Sequence, residues 1–221
     1  MGRGTVNRLP ALLVLAMFLS SVQAMANDDR TPPAVCKYKV SRWNVPLKRS
    51  EGHQTVSHSY SRLAPDEIDS ETGCTVCSED QELIEVPPLE PFRLCWKIAP
   101  KVRAGLERLV RDGAPIFSVK GYVVIRSRGP LDADGNRTVF SNHSYGTALD
   151  INAQLNGLYD NCLEFGPWCR LVMGGPWEPS APGALVPEGE IVRTFTSIGL
   201  KWGGEIEGRQ KDFMHFSPTG Y

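Results

Sequence analysis

His143, Asp150 and His215 lie far apart in the chain, yet their types and settings are those of a metal-ligand set. The chain has only 4 histidines, and these two fall in segments rich in other signals. In Ser141-Asn-His-Ser-Tyr-Gly-Thr-Ala-Leu-Asp150, the run from Thr147 to Asn152 reads as a strand. Alternation then puts Leu149 and Ile151 in the core and Ala148, Asp150 and Asn152 on the other face. Small Ala148 leaves Asp150 open, and Gly146 lets the chain bend so that His143 reaches the same point. Lys211-Asp-Phe-Met-His-Phe216 repeats the design, with Met214 and Phe216 packed inward and His215 facing out. Two neutral imidazoles and a carboxylate suit zinc, one ion per chain, with a fourth position left for water. Bound zinc lowers the pKa of that water to about 7, which makes hydroxide available at neutral pH.

Hydrolysis also needs a base for the water proton and an acid for the leaving group. Asp212 can serve as both in turn. Strict alternation from His215 points Asp212 away, so it must arrive from a turn before the strand. A cation should face the developing oxyanion, and Arg126 is the first choice, with Arg128 second. Taken singly, such His and Asp residues are more often structural than ligands. The chain contains no His-Glu-x-x-His and no Gly-x-Ser-x-Gly, which removes two other hydrolytic signatures.

The elements that must position these residues are legible in outline. Pro100 suits a helix start, Val102, Leu106, Leu109 and Val110 recur at helical spacing, and Gly113 is the stop. Ile116 to Ile125 reads as a strand bent at Gly121. Asp132-Ala-Asp-Gly-Asn136 is a hairpin or loop tip, and residues 174–189 form a Gly/Pro-rich loop. Ile191, Val192, Phe195 and Ile198 mark a second helix closed by Gly199. Leu200 to Trp202 and Phe213 to Phe216 are short strands. Helices and strands in this order, without βαβ alternation, predict an α+β domain on an antiparallel sheet.

The 221 residues allow one main domain with a buried core. A formal charge of −1 gives no electrostatic case for nucleic acid or a strongly anionic membrane. Arg3 and Arg8, the apolar run Leu9 to Leu19, and Ala24-Met25-Ala26 read as a cleavable export leader over residues 1–26, too short to be a spanning helix. No membrane insertion is expected once it is removed, and the mature chain is expected in the periplasm or outside the cell. The 6 cysteines fit that compartment and favour disulfides, with Cys162 and Cys169 able to staple one short loop. Residues 27–94 read as an irregular, cysteine-tied segment in which His53 and His58 face solvent, and residues 95–221 as the main domain. His58-Ser-Tyr60 echoes His143-Ser-Tyr145 but lacks the following Gly and the spaced Asp.

Ser141-x-His143-x-x-Gly146-x-Ala148-x-Asp150, followed by Asp212-x-x-His215-Phe216, resembles the zinc D-Ala-D-Ala carboxypeptidase family. That family includes VanY-like carboxypeptidases and phage-type L-Ala-D-Glu endopeptidases. The resemblance runs from about Cys95 to the C-terminus. It implies that His143, Asp150 and His215 bind zinc and that Asp212 is the general acid/base. It also implies that Arg126 faces the oxyanion and that Ser141 lies close to bound substrate. The implied reaction is hydrolysis of a peptide bond in peptidoglycan stem peptides by a monomer, with the bond itself left open. Arg128, Arg137, Arg209 and Lys211 are candidate cations for a substrate carboxylate, and Arg128 is taken as the substrate-binding one. The implied fold is a small antiparallel sheet with packed helices, shared with hedgehog signalling domains. A non-catalytic zinc-containing binding module of that fold is the alternative, and the presence of Asp212 and Arg126 together favours the enzyme.

Overall fold

The computed structural model describes residues 1–2 and 30–221, so all but the first two residues of the expected leader lie outside the described residues. β1 (Val35–Asn44) and β2 (Arg49–Ser59) form an antiparallel hairpin in the segment whose sequence reads as irregular. Cys36, Tyr38 and Val40 alternate inward along β1, but β2 is polar and largely exposed and offers no such periodicity. β3 (Gln81–Ile84) and β4 (Phe92–Cys95) pair as a two-stranded sheet. α1 (Ala99–Arg111) carries Pro100 in its first turn and buries Val102, Leu106 and Leu109.

The expected strand from Ile116 to Ile125 is divided into β5 (Val119–Lys120) and β6 (Val124–Leu131). The break falls at Gly121, where a Cβ would lie 2.3 Å from the Arg93 carbonyl oxygen. The chain thus lies flat on β4, and Tyr122 N donates to that same oxygen at 2.8 Å. β6 returns as β7 (Arg137–Phe140) through the expected turn, where Asp132 Oδ1 accepts from Asp134 N and Asn136 N at 3.0 and 2.8 Å. β8 (Leu149–Ile151), β9 (Leu158–Asp160) and β10 (Arg170–Met173) follow. After the loop over residues 174–189 come α2 (Glu190–Ser197), β11 (Lys201–Trp202), β12 (Gln210–Asp212) and β13 (His215–Ser217).

The fold class is α+β, as the element order implies. One antiparallel sheet has the order β11-β13-β8-β5 and a second the order β10-β9-β12. The third, β2-β1-β6-β7, contains one parallel pair, β1 with β6, which joins the N-terminal hairpin to the rest. Residues 32–221 form one compact unit. The main core packs α1 and α2 against the inner face of the first sheet, with Leu106, Phe195, Leu149, Ile151 and Phe216 fully buried. A smaller core of Tyr38, Val40, Val76, Val124 and Phe140 lies on the third sheet.

Three disulfides use all 6 cysteines: Cys36–Cys77, Cys74–Cys95 and Cys162–Cys169. Cys74 and Cys77 bond to different partners, so Cys-x-x-Cys is neither a redox pair nor a zinc knuckle. The first two bridges close stretches of 41 and 21 residues. Closures of that length stabilise a fold by on the order of 3–4 kcal/mol each. Among the described residues, no helix is long and apolar enough to cross a membrane.

Candidate metal centre

β8 and β13 bring two of the three candidate ligands together by register alone. Asp150 stands directly opposite His215, and side chains so paired project from the same face. Leu149 and Phe216, their neighbours, go into the core on the other face, as alternation demands. His143 comes from a 3-10 turn, Asn142–Tyr145, closed by Gly146 in the left-handed region at φ +66°. Only glycine fits there, because a Cβ would lie 2.0 Å from Gln81 Oε1.

The three ligand atoms form a tight triangle. His143 Nε2 is 3.1 Å from Asp150 Oδ1 and 3.2 Å from His215 Nδ1, and His215 Nδ1 is 3.0 Å from Asp150 Oδ1. His143 Nδ1 lies 2.8 Å from the Gly121 carbonyl oxygen. A carbonyl can only accept, so Nδ1 carries a proton, and in the neutral ring, the form that ligates a metal, Nε2 turns a lone pair inward. In that form two acceptors, Nε2 and the carboxylate, face one another and His215 Nδ1. A cation at the centre satisfies all three. Ligands about 2.0–2.1 Å from a tetrahedral ion stand roughly 3.3 Å apart, close to the spacing found. His143, Asp150 and His215 can thus hold a metal ion.

Asp212 reaches this place by the route its sequence position requires. β12 belongs to the neighbouring sheet, where Asp212 pairs with Leu158, and Phe213-Met214 then turn the chain into β13. Gly203 fits between the two ends, donating to the His215 carbonyl at 2.8 Å and accepting from Asp212 N at 2.9 Å. A Cβ on Gly203 would lie 2.3 Å from the Asp212 carbonyl oxygen. Asp212 Oδ1 and His215 Nε2 are buried without a hydrogen-bond partner among the described residues.

Electrostatics divide the two carboxylates. Burial alone would raise both, but the adjacent His143 and His215 hold the Asp150 carboxyl well below the usual range. Burial pushes Asp212 up to about 6, with the Asp150 charge adding to it and His215, His143 and Arg128 opposing. His143 loses basicity by burial and more than regains it from the Asp150 carboxylate, so its pKa lies above the ordinary histidine value.

The two candidate arginines occupy different places. Arg126 is held by Asp66 at 2.9 Å and the Thr138 carbonyl at 2.7 Å, with its guanidinium 3.7 Å from the centre of the Phe140 ring. Arg128 is the cation acting on Asp212, and burial lowers its pKa. It lies 5.5 Å from the Tyr221 ring centre and 3.5 Å from Asn142 Oδ1. Arg126, the first choice from sequence, and Arg128, the second, thus have different surroundings. The β6–β7 register slips between the two residues, and such a bulge re-aims side chains that would otherwise share a face. Arg137, Arg209 and Lys211 bond to Gly129 O, Asn161 Oδ1 and Ile206 O respectively. Ser141 is buried at the start of the His143 turn, its hydroxyl 3.3 Å from Ser144 Oγ.

Sequence reasoning gave Asn142 and Gln81 no part in the site and read Gly121 only as a bend. Asn142 donates to Thr219 Oγ1 at 2.9 Å and to the Tyr221 carbonyl, which turns its own oxygen toward Arg128. Its place beside His143 was a usable signal. Gly121 acts through its carbonyl and Gln81 through packing, roles that leave no sign in local pattern.

Residues 134–218 match the family model of D-alanyl-D-alanine carboxypeptidase. This supports the resemblance carried by the two motifs and supports a peptidase. The matched span includes His143, Asp150, Asp212 and His215, and begins after both Arg126 and Arg128. The search of curated proteins and the search of solved structures each return no match.

Proposed function

We propose that this chain is an exported zinc peptidase hydrolysing a peptide bond in the stem peptides of bacterial peptidoglycan. The observation that carries this reading is the triangle of His143, Asp150 and His215, with buried Asp212 beside it, inside the span matching a carboxypeptidase family. When bound, zinc supplies Lewis-acid polarisation of the scissile carbonyl and a water of low pKa. His143 and His215 donate nitrogen lone pairs, and Asp150 balances part of the ion's charge. Asp212 accepts the proton of the attacking water at Oδ1, which has no other partner, and returns it to the leaving nitrogen as the C–N bond breaks.

Arg128 is the residue we assign to the substrate oxygen that gains negative charge. It makes one hydrogen bond among the described residues, a long one to Asn142, so N–H donors remain for a ligand. Arg126, fully engaged with Asp66, Thr138 and Phe140, has a structural role in this reading. Residues 1–26 act as the export leader, and the three disulfides suit the oxidising compartment beyond it. A non-catalytic zinc module would have no use for a buried carboxylate beside the ligands.

The test is mass spectrometry of peptidoglycan fragments after incubation with the zinc-loaded protein and its Asp212→Asn variant. The wild type is expected to cut a stem-peptide bond. The variant is expected to keep its zinc and turn over about 10²–10⁴-fold more slowly. Full activity in the variant removes Asp212 from the mechanism, and intact fragments with loaded wild type remove the substrate.

A further inference from the structure

We infer that β4, anchored by the Cys74–Cys95 disulfide, is the positioning element for the metal ligand His143, with Gln81 as its wedge. The inference rests on the metal reading of His143, Asp150 and His215. Two supports of His143 converge on this one strand. Cys95 N donates to the Gly146 carbonyl at 2.9 Å, and Gly146 N donates to the His143 carbonyl at 3.0 Å, which fixes the turn after the ligand. Tyr122 N donates to the Arg93 carbonyl at 2.8 Å, and Val123 N donates to the His143 carbonyl at 3.2 Å. The peptide so pinned carries the Gly121 carbonyl, the acceptor of His143 Nδ1–H at 2.8 Å. β4 therefore sets both the backbone of the ligand and the group that fixes its tautomer and ring angle.

Gln81 completes the clamp from β3. Its amide donates to the Thr75 and Cys77 carbonyls at 2.9 and 3.1 Å, and its oxygen presses on Gly146. More distant ties act in the same direction: Tyr122 OH donates to the Val76 carbonyl and Tyr145 OH to the Asp66 carbonyl, at 2.7 and 2.8 Å. Among the described residues β3 and β4 pair only with each other, and Ile84, Phe92 and Leu94 pack the ribbon into the main core. The bridge from Cys95 to Cys74 adds a covalent tie at the end of β4 that leads to the His143 turn. Cys162–Cys169 staples a loop between β9 and β10 and touches none of these groups.

Metal affinity should accordingly depend on one disulfide and be indifferent to the other. The experiment measures zinc dissociation constants by chelator competition, and the visible absorption of the Co²⁺-loaded protein as a report on coordination. Thermal unfolding is followed in parallel. It compares wild type with Cys74→Ser/Cys95→Ser, Cys162→Ser/Cys169→Ser and Gln81→Ala. The Cys74/Cys95 variant and Gln81→Ala are expected to bind zinc about 10–100-fold more weakly and to show an altered Co²⁺ spectrum. The Cys162/Cys169 variant should match wild type in both. A Gln81→Ala protein with wild-type affinity and spectrum overturns the inference, even if the Cys74/Cys95 variant does not fold. A folded Cys74/Cys95 variant with wild-type zinc affinity overturns it as well. Failure of the wild type itself to bind zinc overturns the metal reading and the inference together, which separates the two failures.

Discussion

The N-terminal half gathers His58, Glu67 and Tyr38, while the C-terminal half gathers His143, Asp150, His215 and Asp212. Both clusters hold a carboxylate with its exposure largely removed, and His58 and His143 each begin a His-Ser-Tyr run. In the first, every polar atom has its complement. Glu67 Oε1 accepts from Tyr38 OH at 2.5 Å and His58 Nε2 at 2.9 Å, and Oε2 accepts from Ala64 N at 2.7 Å. His58 Nδ1 lies 3.0 Å from the Ser59 carbonyl, so both ring nitrogens face acceptors and favour the charged ring. In the second, three potential ligand atoms converge within 3.2 Å of one another, and two further buried atoms have no partner among the described residues. Closed hydrogen-bond valence marks a structural cluster, and open valence marks one built for a ligand. Contrary to the sequence expectation, His58 is thus paired to a buried carboxylate rather than simply facing solvent.

The largest test of that distinction is removal of one ligand. Asp150→Ala is expected to weaken zinc binding by at least about 100-fold, since even outer supports of a metal site cost 10–100-fold. Hydrolysis should fall with it, and metal analysis beside thermal unfolding checks both. Glu67→Ala should leave zinc content unchanged and lower the melting temperature instead. Loss of zinc in Glu67→Ala and not in Asp150→Ala would break the distinction.

Next in size is the separation of the arginines. Arg128→Ala should reduce turnover about 10²–10³-fold with zinc retained, by loss of a charged donor at the reacting oxygen. Arg126→Ala should cost roughly 1 kcal/mol of stability, from its stacking on Phe140 and the partly exposed pair with Asp66, and little turnover. Steady-state kinetics and denaturant unfolding of the two variants decide it, and a reversed outcome would restore Arg126 to the site.

The smallest effect is the pH dependence of the closed cluster. The Ser59 carbonyl and then Glu67 raise the His58 pKa above 6.5, so its contribution is complete below 6.5 and is lost as pH rises through the higher folded value. Glu67 is lowered: burial works the other way, but hydrogen bonds from Tyr38, Ala64 and His58 outweigh it. Its contribution is complete above 4.5 and is lost as pH falls through the lower folded value. The stability difference between wild type and His58→Ala, about 0.5 kcal/mol, should therefore be widest between 4.5 and 6.5 and shrink above. Unfolding curves across this range check it, and a difference that grows toward alkaline pH would contradict the pairing.

Local pattern was enough wherever a residue's role follows from its immediate neighbours. Period-two alternation around Asp150 and His215, and helical spacing from Val102 to Leu109 and from Ile191 to Ile198, determined which faces turn inward. The glycines at 113, 146 and 199 marked ends and bends that other residues resist. Composition and cysteine count likewise determined a disulfide-bonded chain, because their meaning does not depend on geometry. The tertiary structure alone decided which residues meet. β2 is a strand because β1 offers it a hydrogen-bonding edge, and its own polar sequence carries no sign of that. Asp212 enters from another sheet because Gly203 leaves room for the turn, and a bulge and a distant Asp66 give Arg126 and Arg128 different surroundings. Short-range periodicity is written in consecutive residues, whereas register, bulges and pairings across sixty or more residues are free-energy minima of the whole packed chain.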